Sequence, residues 1–215
     1  MKILSNTGGI AATNAFVIAD ETSGEAVLFD APDHTISPLL DEIAQRGWRL
    51  IGLWLTHGHF DHVADHALAT ERFPDAKVLI HPLDEPKLKN PGATHFQLPF
   101  TIPPRSADAL LADGQQLKIG LIDVQVLDTP GHSPGHVCFH LPAANVLVSG
   151  DLILMGAVGR TDLPDSNEDD LFESLRKVMK LPPETHLLPG HGQGRTLAEE
   201  MKSNPFVRHA MGPVA

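Results

Sequence analysis

Apolar positions along the chain fall into short runs separated by helical stretches, and that pattern predicts a mixed α/β fold. Residues 14–19 (NAFVIA) and 25–29 (EAVLF) predict two strands joined by the turn at Ser23-Gly24. Residues 38–47 predict a helix with Leu39, Leu40, Ile43 and Ala44 on one face and Gly47 as its stop. The unbroken apolar run 50–56 (LIGLWLT) predicts a strand covered on both faces. A helix over 61–73 follows, with Val63, Ala64, Ala67 and Leu68 as its stripe and Pro74 as its end, and then a short buried strand over 77–81.

Periodicity fails over 82–112, where Pro82, Pro86, Pro91, Pro99, Pro103 and Pro104 interrupt it; such a segment is either a binding loop or a solvated connector. From Asp113-Gly114 the chain turns β-rich, with the runs QLKIG, DVQVLDT, HVCFHL and NVLVSG. A helix over 168–180 has acids in its first turn and Lys177 and Lys180 in its last, as the helix dipole favours. A last strand is expected over 186–189 and a closing helix over 195–202, while the tail from Asn204 is left unassigned. Two mixed halves of this kind predict sheet packed on sheet with helices outside.

The chain has 215 residues, enough for one sizeable core, and a single domain over 1–215 is expected. Its formal charge of −11 argues against nucleic acid or an anionic membrane as a partner, since both require basic surface. No run reaches the length of a membrane span and MKILSNTGG carries no signal-type apolar region, so a cytoplasmic location is expected. Cys138 is the single cysteine, which excludes a disulfide framework and a cysteine-rich zinc site. Histidine, at 13, is high.

The chemistry concentrates in His57-Gly58-His59-Phe60-Asp61-His62, three imidazoles and a carboxylate between a predicted strand and a predicted helix. In extended chain His57 and His59 face the same side, with Asp61 and His62 following as the chain turns. Three later segments repeat one grammar of apolar run, small turning residue and metal-capable side chain: VQVLDTPGH ending at His132, NVLVSGD at Asp151 and HLLPGH at His191. Strand ends converge on one sheet edge, so all of these can meet in one cleft. Taken singly, each has a bland explanation, Asp61 as a helix cap and Asp151 as a turn residue. Taken together they predict a metal site. His66 and His136 are expected to support that site or lie at the surface. His34, His81, His95, His140, His186 and His209 have no ligand-like context. Imidazole and carboxylate without thiolate suit zinc, iron or manganese.

THGHFDH, the His132 of TPGHSPGH, the Asp151 of SGD and the His191 of PGHG together resemble the metallo-β-lactamase superfamily over nearly the whole chain. The resemblance implies a four-layer αβ/βα sandwich and two divalent metal ions, zinc first, with iron or manganese as substitutes. It implies that His57, His59 and His132 hold one metal, that Asp61, His62 and His191 hold the other, and that Asp151 bridges them. Asp30 matches an aspartate that supports the ligand loop, and Arg160 matches a basic residue that contacts substrate. Asp61 is implied to orient the attacking hydroxide as well as to bind metal.

Within the superfamily the Cys of common two-zinc β-lactamases near Asp151 is absent, and so is the tyrosine of lactonases, since the chain has no Tyr. GAVGRTDLP after SGDLIL resembles both glyoxalase II-like hydrolases and persulfide dioxygenases, and the end PGHGQGRTLAEEMKSNPF resembles short bacterial glyoxalase II-like hydrolases. The 24 residues after His191 are too few for the helical glutathione-binding domain of long glyoxalase II enzymes. The implied activity is hydrolysis of a small-molecule thiol ester such as S-lactoylglutathione. The alternative is a mononuclear iron persulfide dioxygenase using His57, His132 and Asp151.

Overall fold

The computed structural model describes residues 1–91 and 97–212. The first half runs β1 (Lys2–Gly8), β2 (Thr13–Asp20), β3 (Glu25–Phe29), α1 (Ser37–Gln45), β4 (Arg49–Trp54), α2 (Phe60–Val63), α3 (His66–Arg72), β5 (Lys77–Ile80), α4 (Glu85–Lys89) and β6 (Ala109–Leu110). The second half runs β7 (Gln116–Ile119), β8 (Ile122–Asp128), β9 (Val137–Leu141), β10 (Val146–Gly150), β11 (Ile153–Leu154), β12 (Ala157–Val158), α5 (Glu168–Val178), β13 (His186–Pro189), α6 (Leu197–Ser203) and α7 (Pro205–Met211).

The strands of the first half form a six-stranded sheet in sequence order, antiparallel through β1, β2 and β3 and parallel from β3 to β6. The second sheet has the order β13-β10-β9-β8-β7, and β11 with β12 makes a separate hairpin. Strand alternation sorts side chains into three apolar layers. On β2, Ala15, Val17 and Ala19 face α1 and α3, while Phe16 and Ile18 face the other sheet. On β9, Val137, Phe139 and Leu141 face inward, and Cys138 faces outward onto the layer of Leu171, Leu175 and Val207 from α5 and α7. Three apolar layers separate four structural ones, so the architecture is the expected αβ/βα sandwich. Phe29, Trp54 and Phe139 meet between the sheets at centroid distances of 5.2 to 5.7 Å, two of the pairs edge to face.

Several expectations change. The helix over 61–73 is two helices, because Ala31 intrudes between them. Its N–H donates to the His62 carbonyl at 2.7 Å and its carbonyl accepts the Asp65 N–H at 2.8 Å. The segment 82–112 is not wholly irregular: Pro86 sits in the first turn of α4, where a missing N–H does no harm, and β6 adds to the sheet edge. Residues 92–96 of that segment, His95 among them, and the last three residues of the tail lie outside the described residues. The tail from Asn204 contains α7, capped by the Asn204 side chain accepting from Phe206 and Val207, with Pro205 in its first turn. The strand β1 and the hairpin of β11 and β12 have no counterpart among the predicted elements. Among the described residues, no helix is long and apolar enough to cross a membrane.

Candidate metal centre

Strand direction brings the candidate ligands together. β3 and β4 are parallel, so Asp30 and the segment 57–62 leave the first sheet at the same edge. β8 and β10 are each antiparallel to β9 and β13 is parallel to β10, so His132, Asp151 and His191 leave the second sheet at one edge as well. The two edges are joined directly. The Val137 N–H donates to the Thr56 carbonyl at 2.8 Å, the Asn14 N–H donates to the Gly190 carbonyl at 2.7 Å, and Thr13 pairs with His191.

Every predicted ligand lies in this cluster. The donor atoms of His57, His59 and His132 fall within 4.8 Å of one another, as do those of Asp61, His62 and His191 and those of His57, His62 and Asp151. Asp151 Oδ2 is 3.4 Å from His132 Nε2 and 3.4 Å from His191 Nε2, between the two flanking triads. Its Oδ1 is 3.5 Å from His62 Nε2.

Hydrogen bonds at the outer ring nitrogens fix which atoms face inward. His62 Nδ1 donates to Asp30 Oδ2 at 2.8 Å. The Thr56 hydroxyl donates to the same oxygen, so Thr56 Oγ1 accepts from His57 Nδ1 at 3.0 Å. His132 Nδ1 donates to the Arg160 carbonyl at 2.9 Å. Each pairing turns an Nε2 into the cluster, where the neutral ring offers its lone pair to a cation. His57 Nε2, His62 Nε2 and Asp151 Oδ1 are buried there without a hydrogen-bond partner. Buried lone pairs facing one another beside carboxylates are what divalent cations satisfy, and the donor set of imidazole and carboxylate suits zinc, iron or manganese.

The electrostatics agree. Burial, and then the neighbouring imidazoles, hold His57 well below the usual histidine range. Burial, then His132 and the Lys87 ammonium, bring His59 down to about 4 against the opposing charge of Asp84. Burial opposes charge on His62 as well, but Asp151, Asp30 and Asp61 raise it to about 9. His191 rises to about 10, against its own burial, through Asp151 and Asp61. Burial works against ionisation of Asp61, yet His62 and His191 hold it at about 2; Asp151 is held well below the carboxylate range against the same opposition. Two carboxylates thus stay charged and hold protons on two histidines, a balance that entering cations would replace.

Residues outside the ligand list hold the cluster in place. The Thr13 hydroxyl donates to Asp61 Oδ2 at 3.0 Å, and Asn14 Nδ2 donates to the carbonyls of Pro189 and Gly192, each at 2.9 Å. His136 is buried and its Nε2 accepts the Asp151 N–H at 3.0 Å, so it supports the site as expected. His66 turns away, onto the Pro103 carbonyl. Thr13, Asn14 and Asp84 carry no sequence signal, because a small polar side chain at a strand start, or an aspartate between two nearby prolines, is ordinary loop chemistry.

The cluster opens into a cavity of about 850 Å³. Pro86, Lys87 and Pro91 are among its lining residues, as are Leu154, Val158 and Leu163. The proline-rich segment therefore does form part of a cleft. Arg160 also lines it, with its guanidinium paired to Asp162 at 2.6 and 2.8 Å and its carbonyl on His132.

Fold and site together define a metal-binding αβ/βα sandwich protein. The chain belongs to the metallo-beta-lactamase superfamily, whose sequence pattern matches residues 8–191. It is similar to the crystal structure of TTHA1623 in a di-iron-bound form, at 40% identity and a TM-score of 0.83, over 94% of this chain and 99% of that one. It is similar to the crystal structure of BLEG-1 B3 metallo-beta-lactamase, at 32% identity and a TM-score of 0.88, over 96% of this chain and 99% of that one. A hydroxyacylglutathione hydrolase of Fuscovulum blasticum is 30% identical over 230 residues, covering 90% of this chain and 82% of its own.

Proposed function

We propose that this chain is a metal-dependent hydrolase of a thiol ester such as S-lactoylglutathione, with two divalent cations, zinc by preference. His57, His59 and His132 would hold one, and Asp61, His62 and His191 the other. The observation that carries this reading is the placement of Asp151 Oδ2, 3.4 Å from a nitrogen of each triad, where one carboxylate oxygen can serve both. The 30% identity to a hydroxyacylglutathione hydrolase supports the choice of substrate class.

Bound there, the cations would lower the pKa of a shared water toward ~7 and polarise the acyl carbonyl. The chain's own part begins with Asp61. Held ionised at about 2 and steadied by the Thr13 hydroxyl, it offers a carboxylate that accepts a hydrogen bond from the attacking water throughout the neutral range. Asp30 and Thr56 keep His62 and His57 in the tautomers that leave Nε2 free, so the ligand set needs no rearrangement during turnover. Leu154, Val158 and Leu163 are apolar lining residues that can seat the acyl and thiol chains, and Arg160 at the rim can meet an anionic end of the substrate. A thiolate leaves without a proton, which matches a cluster whose carboxylates stay ionised and so cannot act as the acid.

The test is metal content, paired with two assays, on protein purified without added metal. Two ions per chain and release of thiol from S-lactoylglutathione is the expected result. One iron per chain with persulfide-dependent oxygen uptake would replace this reading with the dioxygenase one.

A further inference from the structure

Asp84 stands outside the ligand set, yet it is fully buried and ion-paired to Lys87 at 3.0 Å. Its Oδ2 accepts the Gly58 N–H at 2.7 Å and the Ser133 hydroxyl at 2.8 Å. Its Oδ1 accepts the Gly135 N–H at 2.9 Å and Lys87 Nζ at 3.0 Å. Four donors thus converge on two oxygens. Gly58 lies between His57 and His59, and Ser133 follows His132. One carboxylate therefore clips together the two loops that carry the first triad, and His59 Nδ1 and His132 Nε2 meet at 2.9 Å.

The second triad is held by other means. Asp61 takes the Thr13 hydroxyl, His62 takes Asp30, and the loop bearing His191 is tied to Asn14. None of the Asp84 bonds reaches Asp61, His62 or His191.

We infer that Asp84 is a positioning residue specific to the triad of His57, His59 and His132: it sets the spacing of that cation's two loops and leaves the other triad alone. This rests on the metal reading above. The chemistry requires a carboxylate. An asparagine must turn an NH₂ group toward the donors on one side, so it gives up either the Gly58 and Ser133 bonds or the Gly135 and Lys87 bonds, and the four-donor clip is halved. The approach is also close: a Cβ at Gly58 would come within 2.8 Å of the Asp84 carbonyl and 2.9 Å of Lys87 Cβ, so the Asp84 segment lies against the 57–59 loop at a distance that needs glycine.

The experiment is a cobalt titration of the metal-free chain, followed by visible absorption, in wild type, Asp84→Asn, His59→Ala, His191→Ala and the two double variants. In wild type two cobalt ions bind. Asp84→Asn is expected to weaken one of them by about tenfold or more, the scale on which outer hydrogen-bond partners tune metal affinity, and to leave the other unchanged. Combined with His191→Ala it should leave no tight site, whereas combined with His59→Ala it should add little to His59→Ala alone. Ser133→Ala removes one donor and keeps the carboxylate; it should show the same pattern more weakly, and it carries the comparison if Asp84→Asn does not fold. Equal weakening of both ions, no weakening, or an effect that adds fully to His59→Ala overturns the proposal. Fewer than two ions in wild type overturns the dinuclear reading first, and the proposal with it.

Discussion

His62 Nδ1 donates to Asp30 Oδ2 at 2.8 Å, with both side chains buried. The same carboxylate takes the Thr56 N–H and hydroxyl, each at 2.8 Å, so it joins the ends of two neighbouring strands to one ligand ring. Asp30 has φ +58°, in the left-handed region that Asp and Asn tolerate best among residues with a side chain. Asp30→Asn keeps that backbone but turns an NH₂ toward Thr56 or His62. Metal affinity should fall about 10- to 100-fold, as read by competition with a chromogenic chelator.

Asp61→Ala and His132→Ala each remove a member of one triad. Both should lower kcat for thioester hydrolysis by at least about 10²-fold, while circular dichroism shows the fold retained. Turnover near the wild-type value in either variant would remove the hydrolytic assignment.

In the metal-free chain His62 and His191 hold their protons up to about 9 and about 10, and cations bind only the neutral rings. Protons therefore compete with metal throughout the neutral range. Apparent affinity should rise with pH until those values are passed and fall as pH drops. Loading at pH 7 in weak buffer should release about two protons from these rings, measurable with an indicator dye.

Gly190→Ala tests the packing of the cluster apart from its charge. A Cβ there would fall on Asp151 Oδ1 and lie 2.8 Å from His62 Cε1. Metal stoichiometry should drop, and the metal-free chain should melt at a lower temperature too, because the overlap is present without metal. Full metal occupancy would show that Asp151 and His62 do not need their present spacing.

Asn204 ties α7 to the β11 and β12 hairpin. Its Nδ2 donates to the Ala157 carbonyl at 2.8 Å and its Oδ1 caps α7. Asn204→Ala should cost about 1–3 kcal/mol, seen as a lower denaturation midpoint. Because Leu154 and Val158 of that hairpin line the cavity, KM should rise more than kcat falls.

Much of this was legible along the chain. The short apolar runs 14–19 and 25–29 and the unbroken run 50–56 have local causes, and so does the recurrence of strand, turn and ligand at His57, His132, Asp151 and His191. Periodicity and turn residues act within a few positions, so they identified the core strands and the residues able to bind metal. Contacts between distant segments are of another kind. Ala31 splits the helix after His62 by taking its backbone groups, which no pattern inside 61–73 could reveal. Pro86 reads as a breaker, and the tail from Asn204 reads as nothing, until Pro86 and Pro205 are placed in first helical turns, where their missing N–H has no partner to lose. Asp84 and Thr13 became part of the site only when folding laid their loops across those of Gly58, Ser133 and Asp61. The sequence by itself determined which side chains can hold a cation. The tertiary structure alone decided their spacing, their tautomers and their supports, because those depend on hydrogen bonds between residues as many as 178 positions apart.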